Sequence, residues 1–301
     1  MAAIFKSVLV TALISFAIPA VAALNVFACE PEWAALAQEL AGDKAVVYSA
    51  TTALQDAHRI EARPSLIARI RSADLVVCSG SELEIGWLPL LLTQSGNNRI
   101  QPGSPGYLEA SQAVARLEIP KVLDRALGDI HPSGNPHVHL DPGNIATIAE
   151  VITGRLLRLD PVNAESYKTR ADSFRMRWQA AIQRWQQQAA ALRNVPVVVY
   201  HKDMSYFIQW AGMRQAGSLE PKPGIPPTAA HLAELVERMK RDPAKVIVYS
   251  PYNGSRAAEF LSERTGIPAV MLPFTVGGSS GAKDLFGLFD DTIARLMAIV
   301  K

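Results

Sequence analysis

Short apolar runs alternate with amphipathic stretches along most of this chain. Six runs read as strands: 24–28 (LNVFA), 45–49 (AVVYS), 74–78 (DLVVC), 196–200 (PVVVY), 245–250 (KVIVYS) and 269–272 (AVML). They are rich in valine and lack a strict apolar–polar alternation, as expected for strands covered on both faces. Between them, apolar residues at three- and four-residue steps predict helices, for example over 31–41 (PEWAALAQELA), 65–72 and 229–240 (AAHLAELVERMK). Strand and helix in turn predict an α/β fold with parallel sheets.

The middle of the chain breaks this alternation. Residues 143–158 predict one helix, opened near Asp141-Pro142. A second opens near Asp160-Pro161 and runs to about Leu192, and its stretch 164–192 contains no Gly or Pro. Tyr167, Phe174, Trp178, Ile182 and Trp185 fall on one stripe of it. A helix of that length between two α/β halves reads as a stiff connector. The expected organisation is a signal peptide at 1–23, an N-terminal α/β lobe at 24–158, a long connecting helix at 159–193 and a C-terminal α/β lobe at 194–301. A chain of 301 residues is long enough to give each lobe its own core.

The first residues predict export. Lys6 precedes the apolar run 8–18 (VLVTALISFAI), and Pro19 and the small residues Ala20-Val21-Ala22-Ala23 follow. That is the order of a secretory signal peptide, cleaved near Ala22 or Ala23. The run is shorter than the ~20 residues a membrane-spanning helix needs. In an oxidising compartment, Cys29 and Cys78 are expected to form a disulfide, because each ends a strand-like run; two buried free thiols are the alternative. Val26-Phe27-Ala28-Cys29 weakly resembles a lipidation signal, but that stretch also reads as the first strand of the fold. Composition adds an exclusion: a net charge of +2 with no Lys/Arg-rich run gives no surface for nucleic acid.

Six histidines carry the candidate chemistry: His58, His131, His137, His139, His201 and His231. His58 follows a strand and a polar stretch, His137 precedes a helix, and His201 ends the strongest strand of the second half. Ligands in open α/β sheets bind beyond the carboxyl ends of strands. Three imidazoles meeting there would suit zinc. His137 and His139 would point the same way in an extended segment and could share a metal; a bend into the helix at Asp141 would separate them. His131 sits in a polar loop, either as a mobile collector of metal or simply solvated. His231, on a helix beside Leu232 and Leu235, reads as structural.

Four ordered motifs together resemble the metal-binding subunits of bacterial zinc and manganese ABC importers, the TroA-like substrate-binding proteins. They are Asp56-Ala57-His58 with Arg63-Pro64-Ser65; Ala73-Asp74-Leu75-Val76-Val77 with Gly80 and Leu83-Glu84; Asn135-Pro136-His137 with Leu140-Asp141-Pro142; and Tyr200-His201-Lys202-Asp203 with Tyr206-Phe207. The resemblance spans essentially the whole chain beyond the leader. It implies one divalent ion held between two lobes by His58, His137 and His201, and a site of three imidazoles favours zinc over manganese, which prefers more oxygen ligands. It also implies a periplasmic monomer that delivers the ion to an ABC permease, with no catalytic residues. It demotes His139, which stands where the family usually has Trp.

The chain departs from the family in three places. Ala57 stands where a Pro or an acid often precedes the first ligand. There is no long His/Asp/Glu-rich loop, only the short stretch 129–139. Val276 stands where an acidic fourth ligand would be sought, which leaves Glu61, Asp284, Asp290, Asp291 or a water for that position. Two other functions remain open on the sequence. One is a periplasmic zinc chaperone or adhesin on the same fold. The other is a zinc hydrolase, which would need a general base such as Glu61.

Overall fold

The computed structural model describes residues 23–124 and 128–300. All but the last residue of the expected signal peptide lies outside them. Among the described residues, no helix is long and apolar enough to cross a membrane.

Two four-stranded parallel sheets organise the molecule. The first contains β1 (Leu24–Ala28), β2 (Ala45–Ser49), β3 (Leu75–Cys78) and β4 (Tyr107–Glu109) in the order β2-β1-β3-β4. The second contains β5 (Pro196–Val199), β6 (Arg214–Ser218), β7 (Val246–Tyr249) and β8 (Ala269–Met271) in the order β6-β5-β7-β8. Every pairing is parallel. All six expected strands are present. The two unexpected ones, β4 and β6, are edge strands with one neighbour each.

The valine-rich runs make physical sense once both faces are followed. Successive side chains of a strand point to opposite faces. On β3, Leu75 and Val77 enter one core while Val76 and Cys78 enter another. On β5, Val197 and Val199 face the first core while Val198 faces a third. The outer face of the first sheet is covered by α2 (Pro64–Arg71) and α3 (Leu88–Ser95), and that of the second by α7 (Ala229–Arg241) and α8 (Arg256–Thr265). The inner faces share one core with α1 (Pro31–Ala41), α4 (Pro142–Leu159), α5 (Ala164–Gln188), α6 (Ser205–Trp210) and α9 (Leu285–Val300). Strands buried on both sides have no polar face to show, so alternation is absent from their sequence.

The long helix appears as α5, preceded by α4, and the predicted stripe faces inward. Tyr167, Phe174, Trp178 and Trp185 are buried. Each such side chain contributes roughly 1.5–3 kcal/mol by leaving water. Phe174 stacks on Trp178 at 5.2 Å, and Trp178 meets Trp185 edge-on at 5.0 Å. Trp185 lies against Phe289 of α9 at 4.9 Å. The buried indole N–H groups also find acceptors, Trp178 Nε1 on Pro142 O (2.8 Å) and Trp185 Nε1 on Asp290 Oδ1 (2.6 Å). Thus α5 is fixed to the start of α4 and to α9.

Cys29 and Cys78 are joined, with Cα atoms 4.8 Å apart. They follow the paired residues Ala28 and Val77 of neighbouring strands, so backbone register alone brings them together. Closing a loop of 49 residues contributes about 4 kcal/mol in the chain-entropy picture. The bond also removes the alternatives weighed for these residues: neither is a free thiol, and the buried Cys29 sulfur is not available to a lipid.

Candidate metal centre

Three histidines converge beyond the carboxyl ends of the strands. The ring centroids of His58, His137 and His201 form a nearly equilateral triangle, with sides of 5.6, 5.6 and 5.8 Å. One nitrogen from each lies within 4.8 Å of the others. Two of these residues come from the half built on the first sheet and one from the half built on the second.

Local sequence explains each position. Asp56 caps the 3-10 turn 57–59, accepting from the His58 backbone N–H at 3.0 Å. Buried Trp87 holds that turn from below, its Nε1 donating to Ala57 O at 2.9 Å. Asp141 caps α4 by accepting from Gly143 N–H at 2.7 Å, and Pro142 occupies the first helical turn. His137 therefore lies just before a helix start. Asn135 sets its backbone, accepting from His137 N–H at 3.0 Å, and crosses to the other half by donating to Lys202 O at 2.7 Å. Tyr206 returns the link with its hydroxyl on Asn135 O at 2.7 Å. His201 stands two residues beyond the end of β5.

The hydrogen bonds sort the ring nitrogens. His58 Nδ1 lies 2.7 Å from Asp56 Oδ1, and His201 Nδ1 lies 2.7 Å from Glu220 Oε2. A carboxylate only accepts, so each Nδ1 carries the proton and each Nε2 points its lone pair elsewhere. His137 is 2 % exposed and neither ring nitrogen has a partner. Burial, followed by the neighbouring His58 and His201, pushes its pKa well below the ordinary imidazole value. His201 is shifted upward. Burial opposes the charge there, but the Glu220 hydrogen bond and the carboxylates of Asp203, Glu220 and Asp56 outweigh it. Asp203 is itself held by Ser250 Oγ at 2.6 Å and Tyr252 OH at 2.8 Å. Two neutral-capable rings backed by carboxylates and one unsatisfied buried ring make a strong donor set for a cation of intermediate softness.

The other histidines have separate places. His139 is buried but turns away from the triangle. Its Nε2 donates to Phe274 O at 2.9 Å. Its Nδ1 lies 3.1 Å from Glu32 Oε1, within ion-pair range although not aligned as a hydrogen bond. Glu32 also accepts from Thr275 Oγ1 at 2.5 Å, so this group ties α1 to the segment after β8. His231 donates Nε2 to Ser218 O at 2.9 Å and stays clear of the triangle. His131 is half-buried and not remote: its ring centre lies 5.2 Å from that of His58. Burial and the nearby His58 push its pKa down to about 4.

The acids considered for a fourth position sit elsewhere. Glu61 is exposed, and Asp284 accepts from Gly287 N–H at the start of α9. Asp290 accepts from Arg184 and Trp185, and Asp291 from Ser279 and Arg295. Val276 packs against the core. Glu220, which orients His201, lies in a Pro- and Gly-rich segment whose sequence marks only a loop. Cys29, Cys78 and Glu84 also cluster, but the sulfurs are spent on each other.

Residues 26–298 match the family described as zinc-uptake complex component A, periplasmic, and the chain belongs to that family. It is 24% identical over 231 residues to the high-affinity zinc uptake system protein ZnuA of Bacillus subtilis, covering 75% of this chain and 70% of that protein. It is 24% identical over 239 residues to the zinc-binding lipoprotein AdcA of Streptococcus pneumoniae, covering 78% of this chain but only 46% of AdcA. It is 23% identical to the manganese ABC transporter substrate-binding lipoprotein PsaA of Streptococcus pneumoniae, over 80% of this chain and 76% of that protein. A crystal structure of ZnuA superposes with a TM-score of 0.76 at 19% identity, covering 93% of this chain and all of the other.

Proposed function

We propose that this member of the zinc-uptake component A family is exported, captures one divalent ion between its two halves, and presents it to an ABC permease. The ion is zinc, and His58, His137 and His201 are its ligands. The observation that carries this reading is the triangle of imidazoles drawn from both sides of the molecule, one of them buried with neither nitrogen partnered. Burying such a group uncompensated costs about 1–3 kcal/mol, and a cation offsets that cost. The relatives named for zinc and for manganese support a transition-metal cargo, and the donor chemistry supports zinc between them. Imidazole nitrogen suits zinc, whereas manganese favours more oxygen ligands. The lobes proposed from the sequence, 24–158 and 194–301 with a connecting helix at 159–193, each contain one of the two sheets.

Capture requires deprotonated nitrogens, so protons compete with the ion. Carboxylates behind His58 and His201 hold the rings in the correct tautomer and make them better donors. Metal titration against a competing chelator, with manganese run beside zinc, tests the proposal. One zinc per chain, preferred over manganese and weakened by orders of magnitude in His201→Ala, is expected. No tight zinc in the unaltered chain, or unchanged affinity in His201→Ala, would reject it.

A further inference from the structure

The triangle leaves one side of a tetrahedron open, and Val276, where an acidic ligand would be sought, packs against the core. His131 stands beside two of the three histidines, its ring centre 5.2 Å from that of His58 and 6.5 Å from that of His137, and would have to close in on the ion from there. Its Nε2 is 3.2 Å from His58 Nε2. Its Nδ1 is 2.9 Å from Ser81 O. A carbonyl oxygen only accepts, so Nδ1 carries the proton and Nε2 is left with its lone pair. His58 Nε2 is left bare in the same way by Asp56. Two lone pairs therefore face each other across 3.2 Å, an arrangement that only a shared proton or a cation can hold. Two nitrogens bound tetrahedrally to zinc at about 2.0–2.1 Å would stand about 3.3 Å apart. The observed spacing is that of two ligands to one ion.

The seat of His131 is built rather than incidental. Gly80, Ser81 and Glu82 all have positive φ (76°, 50° and 66°), a rare conformation for the two non-glycine residues. Glu84 holds this turn, accepting from Ser79 N–H at 2.8 Å and from Gly80 N–H at 3.1 Å, and Ser81 Oγ donates to Ser111 Oγ at 2.9 Å. The turn thus aims the Ser81 carbonyl at the imidazole. From the other half, Pro223 O accepts from Asp129 N–H at 2.8 Å. Gly128 makes that contact possible, since a Cβ there would lie 2.3 Å from Pro223 O. Beyond His131, Asn135 N–H donates to Leu117 O at 2.8 Å, so the loop is fastened on both sides of the imidazole.

We propose that His131 is the fourth ligand, giving this chain a closed site of four imidazoles in place of three histidines with a carboxylate or water. The inference rests on the metal-capture reading above and sharpens it. Four neutral nitrogens in a tetrahedron favour zinc further and disfavour ions that want oxygen and higher coordination.

The test uses the purified chain loaded with zinc alone and, in parallel, with cobalt as a spectroscopic stand-in. X-ray absorption at the zinc edge of the unaltered chain is expected to show four imidazoles and no oxygen ligand. In His131→Ala, chelator competition should show affinity reduced by more than about 100-fold, beyond the usual cost of an outer partner. The cobalt spectrum should also shift as water enters the site. Three imidazoles plus oxygen in the unaltered chain would overturn the proposal, as would His131→Ala within twofold of it with an unchanged cobalt spectrum. Either result leaves capture by His58, His137 and His201 standing. Absence of tight zinc in the unaltered chain would instead remove the capture reading and this inference with it.

Discussion

His137 and His139 lie two residues apart, are equally buried, and have opposite chemical circumstances. His139 is committed: Nε2 donates to Phe274 O, and Nδ1 lies against Glu32. His137 has no partner at either nitrogen. The residues between and after them explain the divergence. The chain enters a 3-10 turn at 138–140 and then α4, so the two rings leave the backbone in different directions. The comparison teaches that neither burial nor residue type separates these two histidines; what separates them is whether their ring nitrogens are already partnered. His139 meets the internal needs of the fold, while His137 keeps both ring nitrogens unpartnered, as the proposed capture of an ion requires.

The largest expected contrast is in zinc affinity. His137→Leu should lower it by more than about 100-fold, beyond the cost of losing an outer-shell partner. His139→Leu should keep one zinc per chain, and equal losses in the two variants by chelator competition would break the distinction. Stability should reverse the ranking. His139→Leu leaves Glu32 buried without its imidazole and should cost about 3 kcal/mol in denaturant unfolding. His137→Leu removes an unsatisfied polar ring and should raise the metal-free stability by about 1 kcal/mol. A destabilised His137→Leu would contradict the account of its nitrogens.

Smaller effects sharpen the same contrast. Glu220→Gln keeps a hydrogen-bond acceptor but removes the charge behind His201, and should weaken zinc about tenfold. Least in size is a pH effect. His137 is depressed well below 6.5 in the folded chain, so it stays neutral there while the unfolded chain takes up a proton below about pH 6.5. The cost of keeping His137 neutral is absent above that pH and grows as pH falls towards the depressed value. The stability gained in His137→Leu should therefore be greater at pH 5 than at pH 7.5. A gain that shrinks on acidification would mean that His137 finds a proton acceptor in the folded state.

Much of the architecture was legible because burial on both faces leaves a visible run. β1, β2, β3, β5, β7 and β8 all come from apolar stretches. β4 and β6 were not legible: β6 reads RQAGS, and its first two residues are exposed. An edge strand paired on one side carries little of the apolar signal of a central one. For the site, spacing alone did not distinguish His58, His137 and His201 from the other histidines; their motif contexts did. Glu220 follows His201 by 19 positions, across α6 and β6, and nothing local linked them. The sequence leaves His131 as either a mobile collector of metal or a solvated loop residue, because its fixed partner, Ser81 O, is a backbone atom 50 positions away.

The sequence by itself determined the layered α/β plan, the long helix, the Cys29–Cys78 pairing as an expectation, and which histidines to suspect. These follow from periodicity, caps and strand ends, which act over a few residues. Only the tertiary structure decided which imidazole nitrogens remain unspent, because their donors and acceptors come from distant segments: Asp56 beside His58, but Glu220 for His201, Phe274 for His139 and Ser81 for His131. A lone pair is available or occupied according to where the chain folds back, and that is set by packing across both sheets.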